Sequence, residues 1–451
     1  MRRPRAEWTI LLYINADSNE LEREALSTFA HLAAIGSTPE VNIVVQFDRG
    51  DSAPDAPSGG WSYALRFHVT ESMPAHRDYA LAGFANEVNM GDGRSLAEFV
   101  EWGTREFPSR RVMLVVWGHG QGYAISNEPA YLDVRLGLMT GCFTDEILSQ
   151  IHTRPTRLHT AVVDHVADDA LYVREMQLAL EQRQYPTGKV DIIGFDSCLM
   201  AMIEVAHSVR NVADYMVASE EVEADAGWNY DWLRDLVREP AIDSEALAMQ
   251  IVESARAEAS RPRDGRNCAR KIETLSAFRL SGVAQVTSAI DDFVVTVMAE
   301  GSAGRDAVLR ARTTCQSFGV GITVYIHSID LNYFMSQLAT QRVSAQVRNA
   351  AERVRIAIDR LIADSFATPE KQTGPYGAAG VAIYFPPDYK IMLADPYVGC
   401  YLGSDPDCPV IEFAELHRWK DFLLWLFQPQ LHDAAASFTI FNRLSVTAEE
   451  N

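Results

Sequence analysis

The chain has 451 residues, 47% of them hydrophobic and 10% aromatic, an ordinary globular composition that excludes a disordered or fibrous protein. Its formal charge of −21, from 40 basic and 61 acidic residues, sets a field that repels nucleic acid and anionic membrane and favours cationic partners. The length allows one large α/β unit with additions, or two to three domains.

In chain order, short apolar runs alternate with helical periodicity. Trp8–Ile14 reads as a strand, Asn19–Ala34 as a helix, Val41–Phe47 as a strand, and Ser95–Phe107 as a helix whose Ser95 and Glu98 form a capping box. Strand Val112–Trp117 follows, then a long connection, Gln121–Asp164, with a helical patch at Thr144–His152. Helix Leu171–Gln184, strand Val190–Phe195, helix Leu199–Arg210, strand Tyr215–Ser219 and helix Glu245–Ala259 continue the alternation. The strand runs are nearly continuous rather than alternating, as in strands covered on both faces. A doubly wound, mainly parallel α/β sheet flanked by helices is therefore expected.

The arginine-rich stretch Glu258–Arg270 marks a boundary before helices Ser281–Ala299, Arg305–Cys315 and Ser344–Phe366, and late strands at Gly319–Ile326 and Gly380–Phe385 could extend the same sheet. Phe413–Phe427 reads as the last helix. The expected organisation is a core over 1–265, a C-terminal α/β extension over 266–430 packing on it, and a tail over 431–451.

Six cysteines (Cys142, Cys198, Cys268, Cys315, Cys400, Cys408) stand far apart without a CxxC pair, against both a disulfide scaffold and a zinc ribbon. Cys400 and Cys408 are the one close pair, where a bridge could form. The basic Met1–Arg5 precedes an apolar run that is short and lacks a cleavage signal, and no apolar segment approaches the roughly 20 residues that span a bilayer. A soluble cytoplasmic protein without membrane or nucleic-acid partners is expected.

In such sheets ligands sit beyond the carboxyl ends of the strands. The third strand is followed by Gly118-His119-Gly120 and the fourth by Asp196-Ser197-Cys198. A cysteine nucleophile needs a neighbouring base and amide N–H groups aimed at the developing oxyanion. His119 and Cys198 meet the placement condition if their strands are neighbours, and Cys198 at the start of helix Leu199–Arg210 would have its pKa lowered by the helix dipole. An isolated cysteine beside a strand is more often a small buried hydrophobe, and a lone histidine near a turn is usually just hydrogen-bonded.

Further residues carry a resemblance. WTILLYINADSNELE (Trp8–Glu22), NMGDGRSLAEFVEWG (Asn89–Gly103), VMLVVWGHGQGY (Val112–Tyr123), DIIGFDSCLMAMIEV (Asp191–Val205) and ASEEVEADAGWNYDW (Ala218–Trp232) resemble the clostripain family of cysteine peptidases, in the family's order. TLSAFRLSGV (Thr274–Val283), GVAIYFP (Gly380–Pro386) and WKDFLL (Trp419–Leu424) are similar to its C-terminal region.

That resemblance implies a caspase-like fold, a His119–Cys198 dyad, and an oxyanion hole of the Gly120 and Cys198 N–H groups. It implies cleavage after Arg or Lys in a protein or peptide substrate, and hence a carboxylate in the pocket. Asp196 matches the motif aspartate two residues before the nucleophile; Asp225 lies in the matching loop, where Glu220, Glu221 and Glu223 crowd and could also serve. The family's zymogens imply cutting between His119 and Cys198, after Arg135, Arg154 or Arg157 in the 121–164 linker, by the protein itself or by an upstream protease.

Arg279 departs from the family's aspartate after TLSA. Some members depend on calcium, which stays open here because Asp164, Asp168, Asp169, Asp405 and Asp407 lack the alternating spacing of a calcium loop. No metal site is assigned: His152, His159 and His165 are spaced unlike zinc ligands. Alternative readings are a protease in a bacterial stress or defence cascade, activated by an upstream protease, and a catalytically silent caspase-like scaffold. The intact His119 and Cys198 argue against the scaffold.

Overall fold

The computed structural model describes residues 4–16, 21–50, 61–83, 88–120, 163–164, 169–182, 188–223, 227–261, 272–319, 327–395, 398–404 and 410–428. Among these the strands are β1 (Ala6–Ala16), β2 (Val41–Arg49), β3 (Leu65–His68), β4 (Ala82–Gly83), β5 (Ser109–Trp117), β6 (Val163–Asp164), β7 (Asp169–Ala170), β8 (Val190–Asp196), β9 (Ala213–Ala218), β10 (Thr274–Arg279), β11 (Ser328–Asp330), β12 (Ile362–Ala367) and β13 (Ala382–Tyr384).

Nine of them form one sheet in the order β12-β10-β9-β8-β5-β1-β2-β3-β4. Its centre, β2-β1-β5-β8-β9, is parallel, and the outer strands run antiparallel. β1 shows why the sequence builds this. Trp8, Ile10, Leu12 and Ile14 point into one core with helices Glu22–Ala33, Trp232–Arg238 and Ser244–Ser260, while Leu11 and Tyr13 point into the other. That second core is closed by helices Gly93–Glu106, Val173–Glu181, Ile203–Val209, Val283–Met298 and Ala345–Leu361. A strand buried on both faces is apolar at most positions, and each fully buried large side chain contributes roughly 1.5–3 kcal/mol, an upper estimate.

Several sequence expectations shift. Helix Gly93–Glu106 is capped by Asp92, whose side chain accepts from the Arg94 N–H at 2.8 Å, rather than by Ser95. The long C-terminal helix stops at Leu361, and the next six residues are β12, the sheet's edge strand. β13 does not extend the main sheet: it pairs with β11 in a separate two-stranded sheet and touches the core through a bridge from Ala382 to Met202. Of the expected strand Gly319–Ile326, all but Gly319 lies outside the described residues. The stretch Leu280–Met298 is long and apolar enough to cross a membrane by composition, but its Val283, Val286, Ile290, Phe293 and Val297 are packed into the core.

The helix behind β8, Ile203–Val209, is fastened to the C-terminal segment by charge. Glu412 accepts from Arg210 and, at 3.0 Å, from Gln177, and pairs with Arg174 at 3.2 Å. Burial raises its carboxyl, and the Arg210 and Gln177 hydrogen bonds more than reverse this, to about 2. His207 Nε2 lies 3.1 Å from His417 Nε2, and His417 Nδ1 lies 2.9 Å from Asp291. Burial, helped by the Arg210 and His417 charges, pushes the His207 imidazole down to about 3.

An unfolded histidine takes up its proton near pH 6.5 and this folded one does not, so its contribution is complete above pH 6.5 and is lost as pH falls towards 3. The wild-type advantage over His207→Asn should therefore shrink by about 1.4 kcal/mol per pH unit below 6.5 in urea unfolding. A difference that stays flat from pH 7 to 5 would contradict a neutral His207.

Candidate active site

β5 and β8 are parallel neighbours, with Trp117 opposite Asp196, so the residues after them leave the sheet side by side. The Gly118 N–H continues the ladder to the Asp196 carbonyl at 3.3 Å, and Ser197 Oγ donates to the Val116 carbonyl at 3.4 Å. Gly120 packs directly on the neighbouring turn. A Cβ there would lie 2.5 Å from Ser197 Cβ and 2.8 Å from the Cys198 carbonyl oxygen. His119 and Cys198 thus leave adjacent strands at one rim, and both are partly exposed.

Gly120→Ala should part these two turns, costing about 1–3 kcal/mol of stability and at least about tenfold in kcat/KM on a peptide substrate. Unchanged turnover would show that the contact does not set the site.

Cys198 does not open a helix. The helix begins at Ile203, so the helix-dipole reading of the thiol falls. Instead Cys198 sits on a turn whose next residue, Leu199, has φ 61°, a left-handed conformation that costs a non-glycine residue roughly 1–2 kcal/mol. The turn is held from outside. Leu199 N–H donates to the Glu221 carbonyl at 3.2 Å, Ala201 N–H to the Ser219 carbonyl at 2.8 Å, and Glu223 N–H to Cys198 Sγ at 3.3 Å.

That outside support is the loop after β9, and its three glutamates are all buried. Glu220 accepts from Gly380 N–H at 3.0 Å and meets Asp330; burial and the Asp330 charge hold its carboxyl well above the usual range. Glu221 accepts from Lys371 Nζ at 2.5 Å and from Gly319 N–H at 2.7 Å. Glu223 accepts from the Trp228 indole at 2.9 Å and meets Asp196.

Asp196 itself is 3% exposed and accepts from Trp228 N–H at 2.9 Å and Tyr230 Oη at 2.7 Å. Burial pushes its carboxyl up to about 6, against the hydrogen bonds from Tyr230, Glu223 and Trp228. It is a tightly held carboxyl below the rim. Asp225, Arg135, Arg154 and Arg157 lie outside the described residues, as do the histidines His152, His159 and His165. Among the described residues no group of three or more His, Cys, Asp or Glu side chains could hold a metal ion.

The residues the sequence did not single out are Trp228, Tyr230, Asp330 and Lys371, which reach this place from far along the chain. WNY at 228–230 was the available signal.

The fold is similar to that of solved structures. A secreted C11 cysteine protease from Bacteroides thetaiotaomicron, in complex with an irreversible peptide inhibitor, is similar over 92% of this chain and 99% of its own, with TM-score 0.59 and 15% identity. An inactive zymogen C11 protease from Parabacteroides distasonis is similar over 90% and 99%, with TM-score 0.57 and 16% identity. At these identities the likeness is one of fold, the caspase-like sheet between helices.

The family itself follows from sequence. The peptidase C11 model, described as the clostripain family, matches residues 153–411, more than half of the chain, and the chain belongs to that family. Clostripain from Hathewaya histolytica is 26% identical over 245 residues, which is 51% of this chain and 42% of that protein, so the match spans less than half of the relative's length.

The expected cytoplasmic location is overturned. The Bacteroides protein of this fold is a secreted protease. Cys400, moreover, is disulfide-bonded, and such bonds persist in oxidising compartments.

Proposed function

We propose that the chain is a cysteine endopeptidase working outside the cytoplasm, with Cys198 as nucleophile and His119 as its base. The observation that carries this is the contact of Gly120 with Ser197 and Cys198, which sets the two turns against each other at the carboxyl edge of the sheet. His119 takes the thiol proton, the thiolate attacks the peptide carbonyl, and the oxyanion is received by the Gly120 and Cys198 N–H groups. The protonated imidazole then gives its proton to the leaving amine, and water releases the acyl group.

The substrate is a peptide with Arg or Lys before the scissile bond. A chain with net charge −21 draws cations, and Asp225, two residues after Glu223, is the carboxylate that would receive the basic side chain, since Asp196 is buried and held by Trp228 and Tyr230. Activation is by cleavage between His119 and Cys198, after Arg135, Arg154 or Arg157; support comes from their place in the 121–164 connection and from the zymogen among the proteins of this fold.

Fluorogenic peptides ending in Arg, Lys, Asp or Leu, read with and without calcium, test the specificity. Turnover of the Arg and Lys peptides is expected. Preference for Asp would reject the acidic pocket.

A further inference from the structure

The Glu223 side chain is acidic and charged in water, yet it is 4% exposed and makes no ion pair among the described residues. Burying an acid without a cation is costly, so such a position calls for a reason. Its surroundings form a closed ring. From Asp196 the chain runs two residues to Cys198, whose Sγ accepts the Glu223 backbone N–H at 3.3 Å. The Glu223 carboxyl accepts the Trp228 indole N–H at 2.9 Å, and the Trp228 backbone N–H returns to Asp196 at 2.9 Å.

Gly227 makes the last link. At φ 65° it turns the chain onto Asp196 so closely that a Cβ would lie 2.8 Å and 2.9 Å from the two carboxylate oxygens. Inside the ring the two carboxyls meet, and among the described residues no N–H or O–H donor bonds to Glu223 Oε2. Two acceptors attract each other only through a proton on one of them.

We propose that Glu223 is a positioning residue: its carboxyl, sharing one proton with Asp196 and clamped by Trp228, fixes its own backbone N–H on the Cys198 sulfur. A donor held at the sulfur favours the thiolate over the thiol. This rests on Cys198 being the nucleophile. Glu223 touches no substrate; it acts through the sulfur that does. Loss of the shared proton would set two negative charges against each other and carry the N–H away. The direction of both shifts agrees, since burial and the Asp196 charge hold the Glu223 carboxyl well above its usual range. The titratable groups facing the pair among the described residues are Tyr230, whose hydroxyl donates to Asp196, and the Cys198 thiol.

The test uses the full chain in its active form, wild type, Glu223→Gln, Glu223→Ala and Trp228→Phe. Two quantities are read: the pH dependence of Cys198 alkylation by iodoacetamide, followed on the Cys198 peptide by mass spectrometry, and kcat and KM on an Arg peptide. Glu223→Ala should raise the apparent thiol pKa by about one unit and lower kcat at least about tenfold, with KM nearly constant. Glu223→Gln should restore most of both, because a neutral amide accepts from Trp228 and donates to Asp196. Its alkaline limb should also lie higher than the wild type's, having no proton to lose.

An alanine variant with unchanged thiol pKa and kcat overturns the proposal. So does a folded glutamine variant as impaired as alanine. If the alanine protein does not fold, Trp228→Phe decides: it should shift the thiol pKa upward, and no shift overturns the proposal. Failure of the nucleophile reading is separate, since it would appear as turnover by Cys198→Ala whatever Glu223 does.

Discussion

Cys198→Ala protein, assayed on an Arg fluorogenic peptide, is expected to lose at least about 10⁴-fold in kcat, because the covalent route disappears while binding and the oxyanion donors remain. The loss should not be structural. Cys198 is partly exposed on a turn fixed by the backbone bonds of Leu199 and Ala201 to the loop after β9, and those bonds do not involve its sulfur. Thermal unfolding of the variant should therefore stay within a few degrees of wild type. His119→Ala should fall with it rather than add to it, as groups acting in one step do. Equal turnover by wild type and Cys198→Ala would remove the dyad, and with it the proposed mechanism.

The second large effect concerns stability. Lys371 is buried against Glu221 at 2.5 Å, lies 3.5 Å from Glu273, and has its ammonium 3.8 Å from the Tyr376 ring centroid. Burial lowers its pKa, and the Glu221 hydrogen bond with the two carboxylate charges outweighs this. Lys371→Met keeps the volume and deletes the charge, leaving the buried Glu221 side chain with the Gly319 and Val222 N–H groups as its partners among the described residues. Breaking a buried pair in this way costs about 3–5 kcal/mol, measurable by urea unfolding. Adding Glu221→Gln should recover a large part of it, because the uncompensated charge goes too. A loss below about 1 kcal/mol would mean the pair behaves as a surface one. Because Glu221 also accepts, through its carbonyl, the Leu199 N–H, the single variant should lower activity before it unfolds the protein.

The central strands were legible in the sequence for a physical reason. β1, β2, β5, β8 and β9 are covered on both faces, so the core imposes apolar residues at most positions. The edges were not. β4 has two residues and β3 four, too short for a pattern, and β12 follows Leu361 with no glycine or proline to mark the change from helix.

Leu199-Met200-Ala201-Met202 consists of good helix formers, yet Ala201 bonds to Ser219 and Ala382, and tertiary partners override propensity. The same holds for the candidate site. Side-by-side placement of Gly118–Gly120 and Ser197–Cys198 could be read from strand order, whereas the burial of Asp196 depends on Trp228 and Tyr230, which only the fold brings near. Equally, nothing local separates Glu220, Glu221 and Glu223, yet each ends on a different partner.

The pairing of β5 with β8 bears on what a cut between them would leave. The piece ending after His119 keeps β1, β2 and β5; the piece bearing Cys198 keeps β8, β9, β10 and β12. Their seam runs along Met113–Trp117 and Ile192–Asp196, in the middle of the sheet and under both cores. Pulling the pieces apart would expose two raw apolar strand borders to water. A nicked molecule would thus stay a single body until denaturant opened it, with His119 and Cys198 on different polypeptides.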